Sequence, residues 1–242
     1  PIRRQRQMCI RDRSMEVINY GAIITNLYVP DSSGSLKDVV LGFNDFNNYY
    51  QNNPYFGAII GRYGNRISNG TFLLDGVRYE LEQNNGPNSL HGGLVGFDKV
   101  FWKFIEEKSS NQSLYFEHYS KDMEEGFPGN LVVGVEYILN DSNELKIKYT
   151  ASTDKKTIIN LTQHSYFNLS GESSGDILDH ILNIDAEYYL PVNENMIPHG
   201  PYEKVESTPF DFTIPKKIGL DIFSNDIQLE KGKGYDHCFV LN

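Results

Sequence analysis

Basic charge is scarce in this chain. Its 242 residues carry 22 Lys and Arg against 32 Asp and Glu, a formal net charge of −10. Such a surface lacks the concentrated positive charge that a phosphate backbone requires, so no nucleic-acid partner is expected. Cysteine is nearly absent as well. Cys9 and Cys238 stand far apart and form neither a metal pattern nor a disulfide framework, which makes the cytoplasm the expected compartment. The six histidines show no H-x-H and no H-E-x-x-H spacing, so neither a metal nor another cofactor is expected. No apolar run is long enough to span a bilayer, and no membrane partner is expected.

Aromatics and turn formers are plentiful instead, with 16 Tyr, 14 Phe, 21 Gly and 10 Pro. Short β-type runs alternate with Gly, Asn, Asp and Pro. Residues 71–74 and 77–81 read as a hairpin across Asp75-Gly76, a pair suited to a two-residue turn in which both central residues have positive φ. Residues 101–106 and 114–118 make a second pair, and 131–139 with 144–151 a third. In the last of these, Leu145, Ile147 and Tyr149 alternate with Lys146, Lys148 and Thr150, so one face should be wet. Residues 44–50 carry a weak helical signal. No repeat or linker divides the chain. The expected fold is all-β, a large antiparallel β-sandwich forming one domain over residues 15–242.

Both ends stand apart from this pattern. Residues 1–14 hold five arginines and one acid, show no strand or helix period, and read as a non-native adapter rather than part of the fold. The last residues, Cys238-Phe239-Val240-Leu241-Asn242, form an apolar run with no turn signal after it, and read as the cut edge of a longer sandwich.

Four segments could carry chemistry. Along residues 158–169, strand alternation puts Asn160, Thr162, His164, Tyr166 and Asn168 on one face, a row suited to hydrogen-bonding hydroxyl groups. A solvated sheet face with an ordinary histidine would show the same alternation. His164 nonetheless has an imidazole, whose unperturbed pKa of ~6.5 lets it give or take a proton near neutral pH. The segment Gly61-Arg62-Tyr63-Gly64-Asn65-Arg66 concentrates donors, and its arginines could bind oxygens or simply pair with surface carboxylates. In Asn84-Asn85-Gly86-Pro87-Asn88-Ser89-Leu90-His91-Gly92-Gly93, glycines beside His91 permit close backbone approach. Gly234-Tyr235-Asp236-His237 sets an acid beside a histidine.

Taken in order, NPYFGAIIGRYGNRISNGTFLLDG, NNGPNSLHGG with GFDKVFW, TQHSYFNLSG, YLPVNENMIPHG and GYDHCFV closely resemble the aldose 1-epimerase family, from about Glu16 to the last residue. That resemblance implies a β-supersandwich that interconverts the α and β anomers of galactose- or glucose-like hexoses, without a cofactor. It implies that His164 is the general acid that protonates the ring oxygen and that His91 helps to hold that oxygen. Asn65, Arg66, Tyr166 and Asp236 would bind the sugar. The family's general base is a glutamate well downstream of GYDH, so it is not among these residues. A non-catalytic sugar-binding domain of the same fold and a hexose-6-phosphate epimerase remain alternatives, the latter disfavoured by the acidic balance.

Overall fold

The computed structural model describes residues 5–10 and 12–242; residues 1–4 and 11 of the basic segment lie outside it. The chain divides into two compact units, one ending at Ser174 and one running Gly175–Asn242.

In the first unit, β1 (Gln5–Ile10), β2 (Arg13–Ile18), β3 (Ile24–Pro30) and β4 (Leu36–Asp38) form an antiparallel sheet in sequence order. No strand is expected before Glu16, yet β1 pairs along its length with β2, and Met8 lies opposite Met15. Both methionines are buried, while Gln7 and Cys9 are exposed. Apolar residues bunched at Met8-Cys9-Ile10 after an arginine-rich run show no alternation, and only the pairing reveals the strand. After this sheet comes α1 (Phe46–Asn52), capped by the Asp45 carboxylate, which accepts from the Asn47 N–H at 2.9 Å.

Short strands follow: β5 (Ile59–Ile60), β6 (Arg66–Ile67), β7 (Thr71–Leu74), β8 (Val77–Glu80) and β9 (Ser89–Leu90). β7 and β8 are the expected hairpin, with Leu74 opposite Val77 and positive φ at Asp75 (50°) and Gly76 (79°). A second four-stranded antiparallel sheet comprises β10 (Lys103–Phe104), β11 (Ser113–Ser120), β12 (Leu131–Leu139) and β13 (Leu145–Thr153). The two four-stranded sheets share one core. Met15, Val17, Ile24 and Leu27 come from the first, and Phe116, Val133, Val135 and Tyr137 from the second. Tyr137, fully buried, satisfies its hydroxyl by donating to the Ala22 carbonyl at 2.7 Å. β12 is buried along most of its length. β13 alternates through Leu145, Lys146, Ile147 and Lys148 and is exposed beyond them. β14 (Thr162–Gln163) pairs with β5.

The second unit is built from two-residue strands: β15 (Ile181–Leu182), β16 (Tyr188–Tyr189), β17 (Glu203–Lys204), β18 (Lys216–Lys217) and β19 (Phe239–Val240). β16 pairs with both β17 and β19. One helix, α2 (Ile227–Gly232), is capped by Asp226, and Tyr189, Val205, Phe210 and Leu229 form the core. No helix among the described residues is long and apolar enough to cross a membrane.

Candidate active site

Pairing of β6 with β9 sets Arg66 opposite Leu90, which brings the GRYGNR and SLHGG segments side by side just where both strands end. There the backbones lock reciprocally. The His91 N–H donates to the Asn65 carbonyl at 3.1 Å, and the Asn65 N–H donates to His91 Nδ1 at 3.0 Å. Both residues take positive φ, 54° and 65°, which turns the chain sharply enough for the ring to fold back over the neighbouring amide. A backbone N–H has no alternative role. It keeps Nδ1 unprotonated, so the neutral imidazole carries its proton on Nε2.

β14 delivers the second histidine. Its pairing with β5 continues as the His164 N–H donates to the Ala58 carbonyl (2.9 Å) and the Gly57 N–H to the His164 carbonyl (3.1 Å). Gln163 fastens this stretch by donating from Nε2 to the Gly57 carbonyl (2.9 Å) and to Ser165 Oγ (2.8 Å). The His91 and His164 rings meet edge to face with centroids 5.2 Å apart. Tyr55 touches both, at 4.6 Å and 5.6 Å, and Tyr166 lies 5.2 Å from His164.

Burial, then the neighbouring His164 and the Arg66 and Lys99 charges, pushes the His91 pKa down to about 4, so this imidazole is neutral at neutral pH. Asp98 moves the other way. It is 5% exposed, and burial raises its pKa to about 6 against the opposing pull of Lys99, whose Nζ is 3.9 Å away. Burial, with the Asp98 charge behind it, also raises the Tyr55 hydroxyl pKa.

Arg66 donates from Nε to Asn85 Oδ1 (2.9 Å) and from Nη1 to Asn65 Oδ1 (3.4 Å), which holds its guanidinium beside the exposed Asn65 side chain. Arg62, the other arginine of that segment, is not at the surface. It is 2% exposed and donates to Ser120 Oγ (2.9 Å) and to the carbonyls of Pro128 (2.9 Å), Ser120 (3.2 Å) and Lys121 (2.7 Å). A buried guanidinium needs its donors filled, and backbone carbonyls fill them here. The expected five-residue polar row along residues 160–168 is also broken. Only Thr162–Gln163 is regular strand, and Asn168 is buried, with its Oδ1 accepting from the Ser170 N–H to start a turn.

Asp236 lies in the second unit, exposed between two anchored rings. Tyr235 packs on Phe212 at 5.0 Å, and His237 packs on Phe210 at 4.6 Å. Gln228 Oε1 accepts from the Val192 N–H (2.8 Å), so His237 Nε2, at 3.0 Å from the same oxygen, is the donor of that pair. Of the residues singled out in the sequence, the structure therefore brings together His91, His164, Asn65, Arg66 and Tyr166. Tyr55, Gln163 and Asp98 were missed. Each stands inside a recognisable motif, but its role depends on which other loop it meets.

A family model described as aldose 1-epimerase matches residues 7–242. The chain is 46% identical over 227 residues to galactose mutarotase of Sus scrofa, covering 94% of this chain and 64% of that protein. It is 41% identical over 225 residues to aldose 1-epimerase of Escherichia coli K12, again covering 64% of the relative. Among solved structures, the aldose epimerase homologue of C. elegans superposes with a TM-score of 0.87 at 28% identity, covering all of this chain and 72% of that one. The galactose 1-epimerase of Lactobacillus acidophilus gives 0.84 at 31% identity, covering 96% and 67%. The fold is thus the all-β sandwich of these proteins, and the chain spans about two thirds of their length.

Proposed function

Because the chain belongs to the aldose 1-epimerase family, we propose that it acts on galactose- or glucose-like hexoses by opening and reclosing the hemiacetal ring. In this reading His164 delivers a proton to the ring oxygen as the bond from that oxygen to the anomeric carbon breaks. His91, held neutral with its proton on Nε2, steadies the oxygen as a hydrogen-bond donor and does not exchange the proton itself. Asn65 and Arg66 receive hydroxyl groups and the Tyr166 ring backs the sugar; for Asp236, in the second unit, the family resemblance implies a part in binding hydroxyls. The base that takes the anomeric proton would be the glutamate that the family resemblance implies downstream of the Gly234-Tyr235-Asp236-His237 motif. The open aldehyde then rotates about its bond to the next carbon and recloses on its other face. The two exposed, unpaired cysteines support a reducing, cytoplasmic setting.

The observation that carries this reading is the unequal histidine pair, 5.2 Å apart, with His91 Nδ1 taken by the Asn65 amide. Polarimetry of freshly dissolved α-D-galactose tests it. A positioned proton-transfer group is worth ~10²–10⁴-fold, so in a chain that includes the downstream glutamate His164→Ala should remove nearly all acceleration above buffer. Equal acceleration by the variant would end the assignment. Galactose binding with no acceleration by the unaltered chain would favour the second reading, a non-catalytic sugar-binding domain of the same fold.

A further inference from the structure

The loop after His91 is held by side chains from outside the site. Gly93 and Leu94 turn their carbonyls to Asn84 Nδ2 (2.8 Å) and Lys99 Nζ (2.8 Å). The two amides that follow point to a single carboxylate. The Leu94 N–H donates to Glu125 Oε2 at 2.8 Å and the Val95 N–H to Glu125 Oε1 at 3.1 Å. One carboxylate thus spans two successive backbone amides, with an ionised acceptor that strengthens both bonds. The fit is close: a Cβ on Gly93 would strike the Glu125 carboxylate, and one on Gly92 would strike the Gly61 carbonyl.

Glu125 is itself fixed. It sits at φ 49° in the tight turn of Glu124–Gly126, and a Cβ on Gly126 would collide with the Glu80 carbonyl. The same connection between β11 and β12 supplies the Lys121 and Pro128 carbonyls that receive Arg62. One connection therefore grips both segments that meet at the Asn65–His91 bond, through Arg62 on one side and Glu125 on the other. We propose that Glu125 is a positioning residue for the proposed sugar site: its carboxylate sets the backbone of residues 93–95 and so the aim of the His91 imidazole. The proposal rests on the epimerase reading for its consequence in sugar binding, but not for its structural content.

Two measurements test it. Leu94 and Val95 are 54% and 51% exposed, so without the clamp their amides would exchange quickly. Amide exchange on the unaltered chain should instead find both protected. In Glu125→Gln and Glu125→Asp, nitrogen-15 spectra of the imidazoles should show His91 leaving its single Nε2–H form while His164 is unchanged. Misplacement of a positioned group by about 1 Å can cost ~10²-fold, so the dissociation constant for D-galactose should rise about 10- to 100-fold. Unaltered Trp102 emission shows that a variant is folded. Unprotected amides in the unaltered chain would overturn the proposal. So would a folded Glu125→Gln variant with the native His91 spectrum. A chain that binds no galactose, yet shows the clamp and its His91 signature, would overturn the epimerase reading alone.

Discussion

His91 and Asp98 lie seven positions apart, and burial displaces them in opposite directions. For His91 the pKa falls from 6.5 unfolded to about 4 folded. Between those values the unfolded chain binds the extra proton, so this histidine's share of stability is whole above pH 6.5 and is lost as the pH falls through 4. For Asp98 the pKa rises from 3.8 to about 6. There the folded chain binds the extra proton, so the penalty of a buried carboxylate is absent below pH 3.8 and grows as the pH rises through 6. Between pH 4 and 6 the two act against each other. Asp98→Asn should therefore raise stability at pH 7.5 by about 1–2 kcal/mol, somewhat less than the ~1.4 kcal/mol per pKa unit that the shift implies. The advantage over the unaltered protein should shrink toward pH 4. Melting temperatures across that range decide the matter, and no gain at pH 7.5 would refute the argument. For His91, a proton-detected titration should find the ring neutral at pH 6 with a midpoint near 4; a midpoint above 6 would remove the fixed-donor role proposed for it.

At the scale of elements, glycine separates two kinds of cost. Gly76, at φ 79° in the β7–β8 turn, has open space where a Cβ would go. Gly76→Ala should cost only the price of positive φ, about 1–2 kcal/mol by urea denaturation, and leave galactose affinity alone. Gly92→Ala adds a collision with the Gly61 carbonyl, so it should also disturb the His91–Asn65 lock and weaken galactose binding. Equal effects of the two on binding would contradict this. The contrast also shows what the sequence could carry. The β7–β8 hairpin was legible because Asp-Gly sits between two alternating runs. β5, β6 and β9 were not, since two residues hold no period, and of the strand read over residues 158–169 only the two residues of β14 are regular. They are defined by side chains that complete the backbone, such as Asn84, which donates to the Leu90 carbonyl (2.9 Å) and accepts from the Leu90 N–H (2.7 Å). The histidines and Asn65 could be picked out by residue type and motif. That Arg62 is buried while Arg66 is not could not be seen, because the partners of Arg62 lie about 60 to 95 positions away.

For the whole molecule, the contrast between units leads to a prediction about how it unfolds. The first unit draws its core from two four-stranded sheets, with Trp102, the chain's single tryptophan, 1% exposed and donating from Nε1 to the Phe97 carbonyl at 3.0 Å. The second has a small core around Phe210 and two-residue strands, and it leaves Ile181, Ile214, Leu220 and Phe223 exposed, the last at 82%. Local stability follows buried apolar contact, so the second unit should open first. Two native probes separate the units: Trp102 emission reports the first, and the imidazole signals of His237, edge-to-face against Phe210, report the second. In urea, the His237 signals should disappear at a lower midpoint than the Trp102 shift. Such a gap would make the second unit the part whose order is most readily strengthened by ligand, and galactose, if Asp236 binds it, should narrow that gap. Coincident midpoints would instead mean that the two units unfold as one cooperative body despite their unequal cores.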